Sequence, residues 1–133
     1  MTEILSFFKE NPQFFIATMD GDQPRVRPFG AITYFEDNLY ICTSNQKRVF
    51  QQILENPKIE LCGTSRDGNS WLRVEANAVP DYRREARVAM LADNPQLKAL
   101  YDPDDGVFEV LYLQHVTATF CEFGSAPSTL TYF

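Results

Sequence analysis

Short strand-like runs joined by tight turns dominate this chain and point to an antiparallel fold. The run Phe14–Met19 is rich in aromatic and β-branched residues and ends at Asp20-Gly21, a strong hairpin signal. A longer strand is expected over Arg25–Phe35, and the turn Glu36-Asp37-Asn38 leads it back into Leu39–Thr43. Three consecutive strands connected in this way predict an antiparallel meander.

The rest of the chain predicts further hairpins and a few short helices. The expected strands are Ile59–Thr64, Trp71–Val79, Val107–Leu113 and Val116–Phe123. The expected helical segments are 4–10, 46–55, 81–92 and 95–100, each bounded by capping residues or an Asn-Pro pair. Roughly seven strands without parallel βαβ alternation predict a mainly β protein, an antiparallel barrel with helices packed at its ends.

Length and charge narrow the function classes. A chain of 133 residues is expected to form a single domain, 1–133, with residues 123–133 as a C-terminal tail. The net charge of −6 disfavours a nucleic-acid partner, which needs a broad cationic surface. No apolar run approaches the roughly 18 residues that a membrane span needs, and the N-terminus lacks a signal-peptide pattern. We therefore expect no membrane partner.

The three cysteines, Cys42, Cys62 and Cys121, are far apart and form no CxxC motif or Cys/His pair at metal-ligand spacing. They predict buried free thiols and no metal site. Free cysteines without a disulfide framework fit a cytoplasmic location.

The cations are unevenly placed. Arg25, Arg27, Lys47 and Arg48 fall in one stretch in which the acids are Glu36 and Asp37. A local group of cations in an acidic chain predicts a small anionic ligand rather than a polymer.

The first candidate motif is Arg25-Val26-Arg27-Pro28-Phe29. Residues two apart in a strand share a face, so Arg25 and Arg27 point the same way, and their planar forks suit phosphate oxygens. Pro28 cannot donate a ladder hydrogen bond, which predicts an edge or a bulge with backbone groups free to bind a ligand. The alternative is a solvated cationic strand face.

The second candidate motif is Thr43-Ser44-Asn45-Gln46-Lys47, where a strand leads into a helix. Free N–H groups at a helix N-terminus bind anions, and the hydroxyls of Thr43 and Ser44 with the Lys47 ammonium would complete a phosphate site. The alternative is simple helix capping by Ser44 or Asn45. In the predicted meander residue 27 pairs with residue 43, which would bring both motifs together.

Other chemistry has little support. His115 is the single histidine and has no apparent partner, and the acidic turn Asp102–Gly106 lacks the length and closing Glu of a calcium loop. No Walker A loop and no GxGxxG motif is present.

Taken in order, several segments resemble the pyridoxamine 5′-phosphate oxidase-like family, and in particular its small single-domain branch, which includes nitroimidazole-resistance-type flavoproteins. The matching segments are Asp20-Gly21-x-x-Pro24-Arg25-Val26-Arg27-Pro28-Phe29-Gly30, Leu39-Tyr40-Ile41-Cys42-Thr43 followed by Lys47, Gln52-Ile53-x-x-Asn56-Pro57-x-Ile59-Glu60-Leu61, Trp71–Val79, and Asp105-Gly106-Val107-Phe108-x-Val110-Leu111-Tyr112-Leu113. The resemblance spans about residues 3–123.

The resemblance implies a six-stranded antiparallel Greek-key split barrel that forms a homodimer with FMN at the interface. Carried over residue by residue, it assigns the phosphate and ribityl end of FMN to Arg25, Arg27, Ser44 or Asn45, and Lys47, beside the Thr43 hydroxyl. The backbone from Val26 through Pro28 to Phe29 would meet the isoalloxazine ring. Trp71 and Arg73 match positions that approach the flavin in this family, and the second subunit could supply them.

The chain departs from the family in two places. It ends in Ser128–Phe133, without the Arg-Leu-Ala-Pro-type ending of full pyridoxamine phosphate oxidases, and it has no histidine where nitroimidazole-resistance proteins use one. The leading hypothesis is an FMN-dependent oxidoreductase acting on a small molecule. The alternatives are a non-catalytic flavin- or haem-binding split barrel and an oligonucleotide-binding barrel. No catalytic acid or base is identified.

Overall fold

The computed structural model describes residues 1–132, which form one curved antiparallel sheet with three α-helices. The strands are β1 Phe14–Asp20, β2 Gln23–Phe29, β3 Ile32–Phe35, β4 Asn38–Ser44, β5 Lys58–Thr64, β6 Ser70–Asp81, β7 Phe108–Glu122 and β8 Ser128–Tyr132. The helices are α1 Thr2–Glu10, α2 Arg48–Glu55 and α3 Arg84–Asp93, with a 3₁₀ helix at Pro95–Ala99. No helix among these residues is long and apolar enough to cross a membrane.

The sheet curls on itself into an incompletely closed barrel. Its strand order is β2-β1-β5-β6-β7-β4-β3, so β2 and β3 are its two edges. The chain passes from β2 to β3 through residues 30 and 31 alone. An extended chain covers at most about 3.5 Å per residue, so the two edges approach within roughly 10 Å without pairing. The mainly β, antiparallel split barrel is thereby confirmed, with eight strands among residues 1–132 instead of the expected six.

The predicted strand Arg25–Phe35 is wrong, because the chain breaks at residues 30–31. β2 pairs only with β1, and Arg27 lies opposite Ile16. Pro24 and Pro28 have no N–H for a second ladder, which suits β2 to an edge. The predicted meander and the pairing of residues 27 and 43 are therefore wrong as well, since Thr43 lies opposite Glu109.

The strand β7 is longer than predicted and joins two halves of the sheet. The expected strands Val107–Leu113 and Val116–Phe123 form one 15-residue strand. His115, expected between two strands, has a φ of 54° at a shift of register against β6, which identifies a β-bulge. β4 pairs with the first half of β7 and β8 with the second half. Part of the predicted C-terminal tail is thus strand β8, whereas Phe133 lies outside the described residues.

The buried apolar side chains form two clusters on opposite faces of the sheet. The barrel interior contains Leu72, Val74, Ala76 and Ala78, as the alternation in the sequence predicted, and is closed by α1 and α2. On the other face, α3 buries Met90 and Leu91 against β4 and β7. This second cluster extends to Leu97 and Tyr101 beyond α3, which places the 3₁₀ segment against the outer side of β4.

A buried carboxylate ties the end of β6 to the β3–β4 hairpin. The Tyr40 hydroxyl donates to Asp81 Oδ2 at 2.7 Å, and Arg83 Nη2 donates to the same oxygen at 2.9 Å. Arg83 also pairs with Glu36 in the hairpin turn at 2.7 Å. The Arg83 guanidinium, aided by the Tyr40 hydroxyl, lowers the pKa of Asp81 to about 2. Asp81, expected to cap the following helix, instead lies two residues before the cap residue Arg83.

Candidate functional site

A cleft of about 310 Å³ opens beside the gap between the two sheet edges. One wall is the β2–β3 connection, residues 28–31, and another is the end of β4 with the turn that follows it. The third wall consists of Gln96 and Leu97 from the 3₁₀ helix and of Leu100 and Tyr101, which follow it. Of the residues predicted to bind a cofactor, Pro28, Phe29, Thr43 and Lys47 line this cleft.

Lys47 supplies the positive charge of the cleft. It is the N-cap residue of α2, its side chain is exposed, and it takes part in no ion pair among the described residues. The alternative of helix capping by Ser44 or Asn45 is wrong, because no side chain caps α2 and the helix begins at Arg48. An unpaired ammonium beside the first turn of a helix is suited to bind an anion.

Thr43 leaves a buried hydroxyl without a partner. Its residue is 4% exposed and lines the cleft, and its Oγ1 makes no hydrogen bond to any described group. A buried hydroxyl without a hydrogen bond costs about 1–3 kcal/mol, so such groups usually meet a partner in the functional state. The cleft wall thus combines an unpaired cation with a residue whose buried hydroxyl lacks a partner, a combination that fits a phosphorylated, polyhydroxylated ligand.

The neighbouring thiol of Cys42 also lines the cleft. Burial raises the pKa of this thiol to about 12, and the nearby Lys47 offsets only part of that effect. Cys42 therefore stays protonated near neutral pH and does not act as a nucleophile.

Arg25 and Arg27 lie on β2, the strand that ends in the cleft residues Pro28 and Phe29, but they do not line the cleft. Arg25 pairs with Asp20 at 3.2 Å. Arg27 donates to Thr18 and Gln52, both at 2.7 Å. Arg27 and the cleft residue Phe29 are two apart in β2 and share one face of the strand. Arg27 thus shares a strand face with a cleft residue, whereas Arg25 is paired with Asp20, and the role of both as ligands stays a prediction.

Val26, Ser44 and Asn45 are also outside the cleft lining. Val26 is 68% exposed on the outer face of the sheet. The Ser44 hydroxyl accepts a hydrogen bond from the Gln46 backbone, and the Asn45 amide donates to the Gly106 carbonyl and to Glu109. The last two side chains therefore stabilise the turn before α2.

Trp71 and Arg73 are remote from the cleft within this chain. Trp71 lies opposite Cys121, near one end of the 15-residue strand β7, whereas Thr43 lies opposite Glu109 near the other end. The Trp71 ring packs on Phe123, and Arg73 pairs with Glu60. A single subunit does not bring these two residues to the ligand that Lys47 would bind.

Sequence reasoning missed two parts of the site. Asn94-Pro95 correctly predicted a short helical turn, but nothing local indicated that this turn packs over the end of β4. Thr18 and Gln52 are not among the predicted site residues, yet they contact Arg27. A polar residue inside the buried face of α2, beside Val49 and Ile53, was the one available signal.

Comparison with known proteins agrees with the observed fold. A family model described as pyridoxamine 5′-phosphate oxidase matches residues 1–115. A NimC/NimA family protein from Clostridium acetobutylicum is similar over 99% of this chain and 92% of its own, with 42% identity and a TM-score of 0.95. No curated protein sequence matches the chain.

More distant structures share the fold alone. A pyridoxamine 5′-phosphate oxidase-related, FMN-binding protein from Nostoc punctiforme has 16% identity and a TM-score of 0.71, over 99% of this chain and 95% of its own. A haem-binding protein from Mycobacterium smegmatis has 16% identity and a TM-score of 0.68, over 92% of this chain and 54% of its own.

Proposed function

Because the chain belongs to the pyridoxamine 5′-phosphate oxidase family, we propose that it binds FMN in the cleft beside β4 and acts as an oxidoreductase on a small molecule. The observation that carries the proposal is a cleft between β2 and β4 whose cation, Lys47, has no ion pair among residues 1–132, and whose wall includes Thr43, a residue with an unpartnered, buried hydroxyl. FMN has a phosphate for the cation, ribityl hydroxyls for the threonine and a flat ring system for apolar walls.

The residues present fit this cofactor in type. Lys47 would bind the phosphate, with Arg25 and Arg27 adding positive charge from the neighbouring strand. Phe29, Leu97 and Tyr101 would cover a planar ring and exclude water from it. FMN would supply the hydride chemistry, while the protein orients it and controls access. The substrate and the electron donor are not assigned.

The proposal is tested with purified protein and added flavin. We expect FMN fluorescence to be quenched with a stoichiometry of one FMN per chain, and the bound flavin to be reduced by NADH or NADPH. Protein that leaves FMN fluorescence unchanged would contradict the cofactor assignment. If NADH and NADPH do not reduce the bound FMN, and FMN reduced with dithionite passes no electrons to an added acceptor, the result would favour a non-catalytic flavin carrier.

A haem-binding role is the second candidate, because one structural neighbour is described as haem-binding. The single histidine, His115, argues against it, since it lines a separate small cavity at the bulge of β7 and not the FMN cleft. Titration with haemin in the experiment above separates the two cofactors. A cytoplasmic location stays a prediction from the cysteine pattern, and the exclusion of nucleic acid stays a prediction from the net charge.

We also propose that the protein is a homodimer whose subunits meet at the outer face of β1 and β2. Phe15 is 50% and Val26 68% exposed on this face, with Ala17 and Pro28 between them in the ladder. Large exposed apolar groups that adjoin one another are typical of an interaction surface. A second subunit would also explain how Trp71 or Arg73, remote from the cleft of their own chain, could reach a flavin.

Replacing Phe15 with lysine is expected to dissociate the dimer, because it places a charge in the apolar face. The mass measured by size-exclusion chromatography with light scattering should fall from twice the chain mass of 15.3 kDa in the wild type to the chain mass itself in the variant. Tyr82→Lys is the matched control, since Tyr82 is a 63% exposed aromatic residue outside this face. A wild-type protein that is monomeric at tens of micromolar would contradict the proposed dimer.

A further inference from the structure

Three side chains beside the cleft form a closed ring of hydrogen bonds. Arg27 Nη1 donates to Thr18 Oγ1 at 2.7 Å, and Arg27 Nη2 donates to Gln52 Oε1 at 2.7 Å. The Thr18 hydroxyl donates to the same Gln52 oxygen at 2.6 Å. Each partner therefore orients the other two, and the guanidinium is locked against both β1 and α2.

The ring contains a charge but no counter-charge. Thr18 is 2% and Gln52 7% exposed, and both are neutral. Arg27 contacts no carboxylate among residues 1–132, whereas its neighbour Arg25 pairs with Asp20. Partial burial and the nearby Arg25 both lower the pKa of Arg27, which shows that the surrounding groups do not compensate its charge. A cation held in this way is suited to bind an anion that the chain itself does not supply.

Other N–H donors of the hydrogen-bonded ring have no acceptor among the described residues. Arg27 Nη1 also points to the carbonyls of Ile16 and Arg25, whereas its Nε has no acceptor among the described residues. Since arginine has only donors, the amide oxygen of Gln52 must face it and the amide nitrogen must face away. That nitrogen has no acceptor in the described part of the chain either. An uncompensated cation with adjacent free N–H groups is an anion-binding arrangement.

We propose that Gln52, together with Thr18, is a positioning residue that holds the Arg27 guanidinium for the phosphate of FMN. The inference rests on the proposed function and adds residues that do not line the cleft. It follows from the hydrogen-bonded ring, from the absence of an acid at Arg27 in the described structure, and from the shared strand face of Arg27 and Phe29. Without Gln52 the guanidinium would lose one fixed contact and sample several orientations.

The test compares two ligands that differ only in the phosphate. Gln52→Leu is expected to weaken FMN binding about tenfold, as for the loss of one charge-assisted interaction, and to leave riboflavin binding unchanged. Thr18→Val is the second variant, since it keeps the side-chain shape and removes the hydroxyl, and a smaller loss restricted to FMN is expected. Circular dichroism and thermal melts confirm that each variant folds.

Gln52→Glu separates positioning from a structural role. A glutamate would give Arg27 a carboxylate partner, so folding stability should be kept, but the anion site would be neutralised. We expect a larger loss of FMN affinity than for Gln52→Leu, again with riboflavin unaffected. Gln51→Glu is the matched control, because it adds the same charge one residue earlier on the exposed side of α2.

Four outcomes would overturn the inference. Equal losses for FMN and riboflavin would show that Gln52 supports only the fold of the cleft. An FMN affinity of Gln52→Glu equal to that of Gln51→Glu would show that the charge acts from a distance. If the wild-type protein binds neither flavin, the proposed function is wrong and the role of Gln52 fails with it. If the wild-type protein binds riboflavin as tightly as FMN, flavin binding stands but the phosphate contact, and with it the role of Gln52, is rejected.

Discussion

Replacing Lys47 with alanine is expected to weaken FMN binding about ten- to a hundredfold without unfolding the protein. The ammonium is the cation of the cleft lining and has no ion pair among the described residues, so its removal deletes a charge-assisted bond to the phosphate. The side chain is exposed and caps no helix group with its own atoms, so the melting temperature should change little. Fluorescence titration with FMN measures the effect.

Arg48→Ala is the matched control for Lys47→Ala. Arg48 is the next residue, is exposed and does not line the cleft, and its loss changes the net charge equally. A direct contact predicts a large effect at 47 and a small, salt-dependent one at 48. Equal effects at both positions would show that the phosphate binds elsewhere and that both residues act on it only through long-range electrostatic attraction.

Replacing Asp81 with asparagine is expected to lower the free energy of unfolding by about 2–3 kcal/mol at pH 7. The carboxylate is 8% exposed and accepts hydrogen bonds from Tyr40 and Arg83, which lower its pKa from 3.8 to about 2. The amide keeps the size of the side chain but leaves Arg83 without its buried partner. Urea unfolding of both proteins measures the difference.

The effect of Asp81 should depend on pH in a defined direction. A carboxyl whose pKa is lowered in the folded state stabilises the protein above its unfolded pKa, here 3.8, and that contribution is lost as pH falls towards 2. The difference between wild type and Asp81→Asn should thus be full at pH 7 and nearly absent at pH 2. Asp104→Asn is the control, because its bridge to Arg84 is exposed and should contribute much less. A difference that persists at pH 2 would exclude the charge as its source.

Local sequence signals predicted where the strands and turns lie better than which strands pair with one another. The hairpin at Asp20-Gly21, the turn before Asn38 and the alternation of β6 were readable because each depends on neighbouring residues. The pairing of β4 with β7 joins segments more than sixty residues apart along the chain. The short turn at residues 36–37 is compatible with a meander. Only the prolines of β2 indicate that one side of this strand has no partner strand.

The candidate site was predicted in part for the same reason. Thr43 and Lys47 follow one strand end, and Pro28 and Phe29 belong to one motif, so their chemistry could be read locally. The 3₁₀ wall and the contact of Gln52 with Arg27 depend on how α2 and α3 pack on the sheet. For the Gln52 contact the sequence offers one signal, a polar residue on the buried face of α2, and for the 3₁₀ wall it offers none.

The two-residue connection between β2 and β3 has a consequence for how the chain folds. It ties two local hairpins, β1–β2 and β3–β4, that belong to opposite edges of one sheet. Both hairpins can be docked at once, with this short connection intact, only when β5, β6 and β7 have paired into the curled sheet, because β1 docks on β5 and β4 docks on β7. Such distant pairings make barrels fold in milliseconds to seconds, and here both edges should dock in the same late step. In stopped-flow refolding the cleft and the barrel should therefore form in the same phase.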